Sequence, residues 1–566
     1  MGSLRPFLAR THIAYFTMEM AIRPEVHSYA GGLGVLAGDT ARTCADLELP
    51  VVFVTLVSRA GYFRQVIDAQ GRQLEQPDWW QPGQWCQALD AMVAVAIEGR
   101  AVWVRPWLYV HRGDGGREVP ILLLDTDLDQ NAPDDREITH YLYGGDEAYR
   151  LKQEAVLGLG GTRLLRALGF RIRTWHLNEG HAALLALELL ERSRPAPRDG
   201  AAGAPPCDVA AVRARCLFTT HTPVDAAQDR FPYPLFERLL PDLIEPALLR
   251  ELAGSGGVNM TQLALSLSGW VNGVSARHAR TTEQRYPGRR VHAITNGVHV
   301  GTWTHEAFAR LYRAHWPQWQ HEPELLARAG QLDDGELWRC HEAAKQALIE
   351  RVHGLGGPRL DPERPILVIA RRMTAYKRPL LLFSDRDRLA AIAARHPFQV
   401  VIAGKAHPRD EGGKDAIRHL HEVLRALPPG LDAVFLPNHE IDLAKTLVAG
   451  ADVWLNTPLP PMEASGTSGM KAALNGVLNL SVLDGWWLEA CADGINGWAI
   501  GTDGGNDAPQ AHAAELYRLL DEVVLPLYAH DRARWRTMMK EAIRTIASYF
   551  NSQRMMRRYA SEVYLR

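Results

Sequence analysis

"ADVWLNTPLPPMEASGTSGMKAALNGVLNLSVLDG", residues 451–485, contains two apolar runs separated by a loop of small residues and prolines. The runs at 451–457 and 477–485 are typical of buried strands, and SGMKAALNG between them has the pattern of a short helix. A strand, a helix and a second strand in this order predict a βαβ unit of a parallel sheet. Lys471 is the only lysine in the whole stretch.

Comparable units fill both halves of the chain. In the second half the strand-like runs are PILVIA, FQVVIAG and DAVFLPN, each followed by a helical pattern, and in the first half they are IAYFTME, PVVFVTLV, PILLLDT, TWHLNE, CLFTTHT and AITNGV. This alternation predicts an α/β protein made of two Rossmann-like doubly wound domains that face a cleft. We place the domains at 1–296 and 297–566, and we expect a last long helix at 533–566 to cross back onto the first domain. PAPRDGAAGAPP, at 195–206, is predicted to be an exposed loop.

Composition agrees with a globular protein of this size. A chain of 566 residues exceeds one ordinary core, so two domains of roughly 200 to 300 residues are expected. Apolar residues make up 46% and charged residues 23% of the chain, which is typical of folded proteins. The net charge of −2 gives no general attraction to nucleic acid or to an anionic membrane, so neither is predicted as a partner.

Cysteine usage and the N-terminal stretch indicate the compartment. The six cysteines have no CxxC spacing, which argues against a zinc cluster or a disulfide framework and suits reduced thiols. The stretch MGSLRPFLARTHIAYF lacks the apolar core and cleavage site of a signal peptide, and no apolar run approaches the ~18 residues needed to span a bilayer. We therefore expect a cytoplasmic protein without a metal site.

The turn before Lys471 is a candidate anion site. Backbone N–H groups at a helix start favour an anion, which makes Thr467, Ser468 and Gly469 candidate donors to a phosphate. The spacing of an ATP-binding Walker A loop is absent, because the glycines are too close together and a methionine precedes the lysine. A lysine beside such a turn can instead form an aldimine with pyridoxal 5′-phosphate. The alternative is an ordinary surface lysine after a flexible turn.

ARRMTAYKRPLLLF, at 370–383, is a second candidate anion site. Arg371, Arg372, Lys377 and Arg378 lie within eight residues at a predicted strand end, where they repel one another unless an anion or carboxylates balance them. The arginine fork suits bidentate phosphate contact, and lysine adds a point charge. Two neighbouring phosphates would account for the cluster, whereas a solvated basic face is the alternative.

Other candidate residues follow predicted strands in the first half. YAGGLGVLAGD is glycine-rich but lacks the GxGxxG spacing of dinucleotide-binding turns, and WHLNEGHAAL lacks the HExxH spacing of a zinc site. Neither these stretches nor THTPV and TNGVH define a function alone. The polar and glycine positions that we carry forward from them are Gly32, Glu179, His181, His221 and Asn296.

Together these stretches resemble the α-glucan (glycogen/maltodextrin) phosphorylases, in particular the short bacterial-type members. EASGTSGMK resembles the pyridoxal-phosphate signature of that family, and ARRMTAYKR resembles its phosphate-binding stretch. YAGGLGVLAGD, LYGGDEAYRLKQE, WHLNEGHAAL, THTPV and TNGVH also occur in the family's order, from about residue 13 to 500. The fold implied is the GT-B-like glycosyltransferase architecture.

The resemblance assigns a cofactor and a role to each candidate residue. Lys471 would carry pyridoxal 5′-phosphate, and the groups around the cofactor phosphate would be Arg371, Thr467, Ser468 and Gly469. The substrate phosphate would contact Arg372, Lys377 and the backbone of Gly32. The terminal glucose would contact Glu463, Ser465, Gly466, Asn296 and the carbonyl of His221, with Glu179 and His181 near the sugar pocket.

The implied reaction is phosphorolysis of a terminal α-1,4-glucosidic bond of maltodextrin or glycogen by inorganic phosphate, which yields α-glucose 1-phosphate. The cofactor phosphate would act as a proton relay, since two phosphates in one cationic site can share a proton. The chain is shorter than the better-known members, so we expect their extensions for allosteric control to be absent. A homodimer stays open. Met20 and Ala21 occupy positions where we expect aromatic residues beside the cofactor.

Two other functions remain open. A sugar-nucleotide glycosyltransferase such as a glycogen synthase would share the glycine-rich turn and the basic contacts, but would not need Lys471 as a cofactor lysine. A catalytically silent glucan-binding relative is the other alternative, against which the presence of Lys471, Arg372 and Lys377 argues.

We predict that Lys471→Ala yields a folded protein that neither binds pyridoxal phosphate nor catalyses phosphorolysis, because the variant lacks the amine that would attach the cofactor. An absorbance spectrum of the purified protein reports the bound cofactor, and release of glucose 1-phosphate reports activity. Normal activity of this variant without added cofactor would contradict the assignment.

Overall fold

The computed structural model describes residues 4–193, 207–223, 228–502 and 509–565, so the predicted loop at 195–206 lies outside the described residues. All six cysteines are free thiols. None of the helices among the described residues combines the length and apolar character that crossing a bilayer requires.

Twenty strands are formed in the described part of the chain. In chain order they are β1 (Ile13–Phe16), β2 (Val51–Leu56), β3 (Arg64–Ile67), β4 (Gln73–Gln76), β5 (Gln87–Ala88), β6 (Val93–Ile97), β7 (Arg100–Arg112), β8 (Glu118–Asp125), β9 (Thr174–Asn178), β10 (Cys216–Thr219), β11 (Arg230–Phe231), β12 (Val258–Asn259), β13 (Trp270–Gly273), β14 (His292–Ala293), β15 (Ile366–Ala370), β16 (Phe398–Ala403), β17 (Leu431–Leu436), β18 (Val453–Asn456), β19 (Leu478–Val482) and β20 (Gly497–Ile500).

Helices connect most of these strands. The α-helices of six or more residues are α1 (Gly32–Asp46), α2 (Glu147–Ala155), α3 (Gly161–Ala167), α4 (Leu184–Arg192), α5 (Tyr233–Leu239), α6 (Pro246–Ala253), α7 (Met260–Leu267), α8 (Ala276–Arg285), α9 (Glu306–His315), α10 (Asp334–Gly354), α11 (Arg386–Arg395), α12 (Glu411–Leu424), α13 (Ile441–Gly450), α14 (Ser468–Ala473), α15 (Pro509–Leu519), α16 (Leu525–His530), α17 (Arg532–Ala542) and α18 (Ser552–Tyr559).

Two large sheets share one topology. The second sheet has the order β17-β16-β15-β18-β19-β20 and is parallel throughout. Counted in chain order this is 3-2-1-4-5-6, the order of the Rossmann fold. In the first sheet the parallel strands β8-β2-β1-β9-β10-β13-β14 follow the same order with a seventh strand added. The predicted α/β class with two Rossmann-like sheets is confirmed.

The topology brings the sequence motifs to equivalent places. In each sheet the strand order reverses at the first strand, so a crevice opens between β1 and β9 and another between β15 and β18. The glycine-rich turn follows β1, and Glu179 follows β9. In the second sheet the arginine-rich turn follows β15, and the loop to Lys471 follows β18.

The first sheet has an antiparallel edge that the strand patterns did not predict. The 13-residue strand β7 pairs antiparallel with β8, and β5 and β6 pair antiparallel with β7. Along β7, buried and partly exposed residues alternate, as expected for an antiparallel edge strand that is covered on one face only. The predicted strand AITNGV is also shorter than expected, because only His292–Ala293 pairs in the sheet.

The prediction of one long C-terminal helix at 533–566 is wrong. The helix that starts at Arg532 ends before Tyr549, and a new helix begins at Ser552 with Asn551 as its N-cap. The break occurs where the backbone of 550–552 pairs with Val298, since Val298 N donates to Phe550 O at 3.2 Å and Ser552 N to Val298 O at 2.9 Å. A helix running through this segment could not form these bonds.

The segments after residue 297 pack on the second sheet, and the last helix packs on the first. Trp303 and Phe308 belong to the apolar core of the second sheet, whereas Met556 and Tyr559 lie in a core on one face of the first. Tyr559 also accepts a hydrogen bond from Asn272 Nδ2 at 2.9 Å. The domain boundary at 296/297 stays a prediction.

A buried ion pair anchors β18 to helix α10. Asp452 is 1% exposed, and its carboxylate lies 2.9 Å from Lys345 Nζ and 2.8 Å from His341 Nε2, and accepts from Ile366 N at 2.7 Å. Burial alone would raise the pKa of Asp452, but Lys345 and His341 hold it well below its ordinary value. The pair therefore fixes the strand that leads to Lys471.

We predict that Asp452→Asn lowers the free energy of unfolding by about 3 kcal/mol, because it leaves the buried Lys345 ammonium without its counter-charge. Asp432→Asn is the matched control, since that carboxylate is half exposed and pairs with Arg364 at the surface. Its loss should cost less than about 1 kcal/mol. Urea unfolding followed by tryptophan fluorescence compares the two variants, and equal losses would contradict this role of Asp452.

Candidate active site

The glycine-rich turn after β1 is held in place by a carboxylate. Glu19 Oε2 accepts from Ala30 N at 2.6 Å and from Gly31 N at 3.0 Å, and Oε1 accepts from the Tyr143 hydroxyl at 2.9 Å. Helix α1 begins directly afterwards at Gly32, which is exposed and at which an added Cβ would meet open space. The start of the 15-residue helix α1 therefore faces the cleft, where its dipole favours an anion.

Arg371 is a buried cation that is committed to the protein backbone. Its guanidinium donates to Lys377 O and to Thr457 Oγ1, both at 3.2 Å, and also to Leu455 O. Burial lowers its pKa to about 10, and its Nε has no hydrogen-bond partner within the described residues. These bonds tie the turn after β15 to the end of β18.

Lys377 and Glu463 form an ion pair across the two loops of the second sheet. Burial alone would lower the pKa of Lys377, and the adjoining Glu463 carboxylate more than offsets this effect and raises it. The backbone N–H of Glu463 donates to Asp484 Oδ2 at 2.9 Å. Burial raises the pKa of Asp484 to about 6. The loop that carries Glu463 is therefore fixed from both sides.

Arg372 differs from its neighbours because its side chain is exposed to the cleft. Its guanidinium makes no hydrogen bond or ion pair with any residue that the structure describes. A Cβ built on Gly31 would lie 3.5 Å from Arg372 Nη2, so the guanidinium adjoins the glycine-rich turn of the other sheet. The two sheets thus contribute a free cation and a helix start to one space.

Lys471 lies in the first helical turns after β18 and is 7% exposed. Its Nζ lies 4.0 Å from the centroid of the Trp303 ring and has no hydrogen-bond partner in the described ranges. Burial lowers its pKa to about 8, with a smaller opposing effect of Asp39 and a further lowering by Arg42. At this pKa roughly a tenth of the amine is neutral, and so nucleophilic, at pH 7, far more than for an ordinary lysine.

The residues before Lys471 form a tight loop around Trp486. Gly466 has φ of 79°, a conformation that favours glycine, and Trp486 N donates to Ser465 O at 2.9 Å. Trp454 Nε1 donates to Ser468 Oγ at 3.0 Å. A Cβ at Gly469 would overlap with Asn479, so the loop requires glycine there. Thr467 directly precedes the helix that carries Lys471.

The predicted sugar-side residues of the first sheet come together in part. His221 and Asn296 line the same small void of about 10 Å³, enough for about one water molecule. Burial lowers the pKa of His221 to about 3, so its ring is neutral, and Nε2 contacts Asn178 Oδ1 at 2.7 Å.

Glu179 and His181 have structural partners of their own. Glu179 has φ of 74°, and its carboxylate accepts from His221 N at 2.7 Å and from Thr222 Oγ1 at 2.9 Å, which fixes the loop after β10. His181 pairs with Asp229 at 3.2 Å. These contacts orient the loops at the predicted sugar site, and direct sugar contact by either residue stays a prediction.

Several residues of the site escaped the sequence patterns. Trp303 supplies an aromatic ring beside Lys471, whereas Met20 and Ala21, at the positions where we expected aromatic residues, are fully buried. Asp39 accepts from Trp303 Nε1 at 2.8 Å. Glu19 was also missed. In the sequence, Asp39 in the predicted helix and Trp303 at the end of TNGVHVGTW could have been noted. Nothing in their spacing indicates that they lie beside Lys471, because only the fold brings them there.

The fold and the site define a class of proteins with two Rossmann-like sheets. In this class the points at which the strand order of each sheet reverses lie beside one cationic cleft. Comparison with known proteins narrows this class. Residues 247–493 match the family model described as carbohydrate phosphorylase. The chain is 38% identical to maltodextrin phosphorylase of Thermococcus litoralis, over 98% of this chain and 70% of the relative.

Two further relatives agree. The identity is 35% to glycogen phosphorylase of Mycobacterium tuberculosis and 34% to that of Aquifex aeolicus, over 98% of this chain in both cases and over 71% and 86% of the relatives. The chain belongs to the carbohydrate phosphorylase family, as the motifs predicted. This family is generally dependent on pyridoxal phosphate.

We predict that the pH dependence of acetylation reveals the perturbed amine. Only the neutral amine reacts, so Lys471 in the folded apoprotein should be labelled by acetic anhydride with a midpoint near pH 8, where its pKa lies. In the urea-unfolded chain the same peptide should show a midpoint of about 10.4, the ordinary value for lysine. Mass spectrometry of the peptide measures both profiles, and a folded-state midpoint above about pH 10 would contradict the lowered pKa.

Proposed function

We propose that the protein is an α-1,4-glucan phosphorylase that transfers the terminal glucose of maltodextrin or glycogen to inorganic phosphate and releases α-glucose 1-phosphate. The observation that carries the proposal is the presence of two cations, Arg372 and Lys471, without hydrogen-bond partners among the described residues. In the same cleft, Arg371 is bonded to backbone carbonyls and Lys377 is paired with Glu463. An exposed guanidinium beside a helix start suits an oxyanion, and a buried amine with lowered pKa suits a carbonyl.

The substrate phosphate would bind to Arg372, Lys377 and the N–H of Gly32. The guanidinium offers paired donors, Lys377 adds charge, and the start of α1 contributes its dipole. Because one sheet supplies the helix start and the other the side chains, phosphate would be held between the two. Phosphate bound there would also balance the positive charge of the turn after β15.

The terminal glucose would bind beside this phosphate. Glu463, which forms an ion pair with Lys377, would accept hydrogen bonds from sugar hydroxyls, and Ser465 and Gly466 would add backbone and hydroxyl contacts from the same loop. From the first sheet, Asn296 and the carbonyl of His221 would contact the opposite side of the ring. These groups would hold the glycosidic bond against the phosphate.

The residues around Lys471 fit pyridoxal 5′-phosphate. The amine is buried, its pKa is lowered to about 8, and an indole lies against it, which suits attachment and packing of a flat ring. The groups that would hold the cofactor phosphate are Thr467, Ser468 and Gly469, together with Arg371 through its unpartnered Nε. When bound, this cofactor supplies a phosphate group that donates and accepts protons beside the substrate phosphate.

In the reaction the bond from C1 to the glycosidic oxygen breaks, and a bond from C1 to a phosphate oxygen forms on the same face. The leaving oxygen takes a proton from inorganic phosphate. Arg372 and Lys377 would hold the phosphate anion next to the positive charge that develops at C1. The products are a glucan shortened by one residue and α-glucose 1-phosphate.

We predict that Arg372→Ala lowers kcat/KM for phosphate ~30- to 900-fold, which corresponds to the loss of about 2 to 4 kcal/mol of charge-assisted contact. The KM for maltodextrin and the content of bound pyridoxal phosphate should change little, because Arg372 does not contact either of their proposed sites. Initial rates at varied phosphate and varied maltodextrin measure this split.

Arg386→Ala is the matched control. Arg386 is an exposed arginine at the start of α11, in the same connection between β15 and β16 that carries Arg372. It should leave both kinetic constants unchanged. Unchanged phosphate dependence in Arg372→Ala would remove Arg372 from the site. Glucosyl transfer from a sugar nucleotide without phosphate consumption would instead favour a synthase-like activity.

A further inference from the structure

A small hairpin of the first half reaches across to the second half. Strands β3 and β4 pair only with each other, with Gln65 opposite Glu75 and Ile67 opposite Gln73. Gln65 is 2% and Gln73 5% exposed, although they lie outside both large sheets. Buried amide side chains need partners for both their N–H and C=O groups, so the position of these partners is informative.

Both glutamines find these partners on the backbone of the second half. Gln65 Nε2 donates to Gly404 O at 2.9 Å, and Gln65 Oε1 accepts from Asn438 N at 2.8 Å. Gln73 Oε1 accepts from Ala406 N and its Nε2 donates to Ala406 O, both at 2.9 Å. Gln73 thus binds one residue through both of its amide atoms. The contacts hold the segment 404–406, directly after β16, against the hairpin.

The segment 404–406 also supports the turn that carries Arg372. Arg371 N donates to Ala403 O at 3.1 Å, and Met373 N donates to Lys405 O at 3.0 Å. A Cβ at Gly404 would overlap with the carbonyl oxygen of Arg371, so the two segments are in direct backbone contact. The positions of Arg371 and Met373, on either side of Arg372, are therefore set by the backbone of segment 404–406 and the residue before it.

The base of the hairpin connects to the glycine-rich turn of the first half. Leu142 N donates to Gly61 O at 2.9 Å, and the next residue, Tyr143, donates its hydroxyl to Glu19. Lys405 Nζ donates to Phe63 O at 2.8 Å, which adds a contact at the base. The hairpin is thus linked on one side to the carboxylate that holds the turn, and on the other to the support of Arg372.

We propose that Gln65 and Gln73 are positioning residues of the anion site. By holding segment 404–406 to the hairpin, they set the position of the Arg372 guanidinium relative to the start of α1 in the other half. Neither side chain contacts the anion. The inference rests on the proposed function only for the identity of the anion, which is inorganic phosphate.

The test compares Gln73→Met and Gln65→Met with the wild-type protein loaded with pyridoxal phosphate. Methionine keeps the length of the side chain and removes its hydrogen bonds. Because misplacement of a binding group is costly, kcat/KM for phosphate should fall about tenfold in each variant. The KM for maltodextrin should stay within about twofold, since the proposed sugar contacts lie on other loops.

Arg425→Ala is the matched control. Arg425 is exposed and donates to Ala69 O at the tip of the same hairpin at 2.6 Å, away from segment 404–406. This variant should behave as wild type. Hydrogen exchange gives a second measurement that does not depend on turnover, because the amides of Ala406 and Asn438 should lose protection only in the corresponding glutamine variants.

The affinity for inorganic phosphate, measured by calorimetry, separates this inference from the proposed function. If wild type binds phosphate without phosphorolysis, the proposed function fails, and about tenfold weaker phosphate binding in the methionine variants still supports the positioning role. Wild-type phosphate affinity in both folded methionine variants overturns it. An equal loss for phosphate and maltodextrin, or an equal loss in Arg425→Ala, also overturns it.

Discussion

Repulsion among buried positive charges governs the architecture of the cleft. Two unit charges about 6 Å apart repel by about 3 kcal/mol at an effective dielectric constant of 20. Each cation in the cleft therefore needs a partner that balances its charge, or a lowered pKa that leaves it partly neutral. Arg371 is bound to backbone carbonyls, Lys377 is paired with Glu463, and Lys471 has a pKa of about 8 that leaves part of it neutral. Arg372 is exposed and has no hydrogen bond or ion pair with a described residue, so its guanidinium is free to bind a ligand.

Both sheets are needed to build the anion site, because neither sheet supplies all of its groups. The second sheet provides the cations Arg371, Arg372, Lys377 and Lys471, whereas the first provides a helix start whose turn is fixed by Glu19. The indole of Trp303 and the carboxylate of Asp39 connect them, since Trp303 lies against Lys471 and donates to Asp39 on α1. A movement of one half relative to the other would therefore alter the geometry of the anion site, even if the packing within each core stayed the same.

The sequence predicted the features that depend on local pattern. Alternating strands and helices were enough to predict two Rossmann-like sheets, and motifs at strand ends were enough to place Arg372 and Lys471 near a cleft, because the carboxyl ends of parallel strands meet at one edge. It did not predict the aromatic partner Trp303, the carboxylate Glu19 or the interrupted last helix. These depend on contacts between segments distant in the chain, such as the pairing of Val298 with 550–552, which no local periodicity records.

The central claim is that the cleft uses inorganic phosphate as the acceptor of a glucosyl group. The most direct measurement follows maltodextrin and phosphate by ³¹P and ¹H NMR with the protein loaded with pyridoxal phosphate. The account predicts α-glucose 1-phosphate, formed in step with the shortening of the glucan, and no β anomer. Free glucose as the product, the β anomer, or no consumption of phosphate by a cofactor-loaded and folded protein would contradict it.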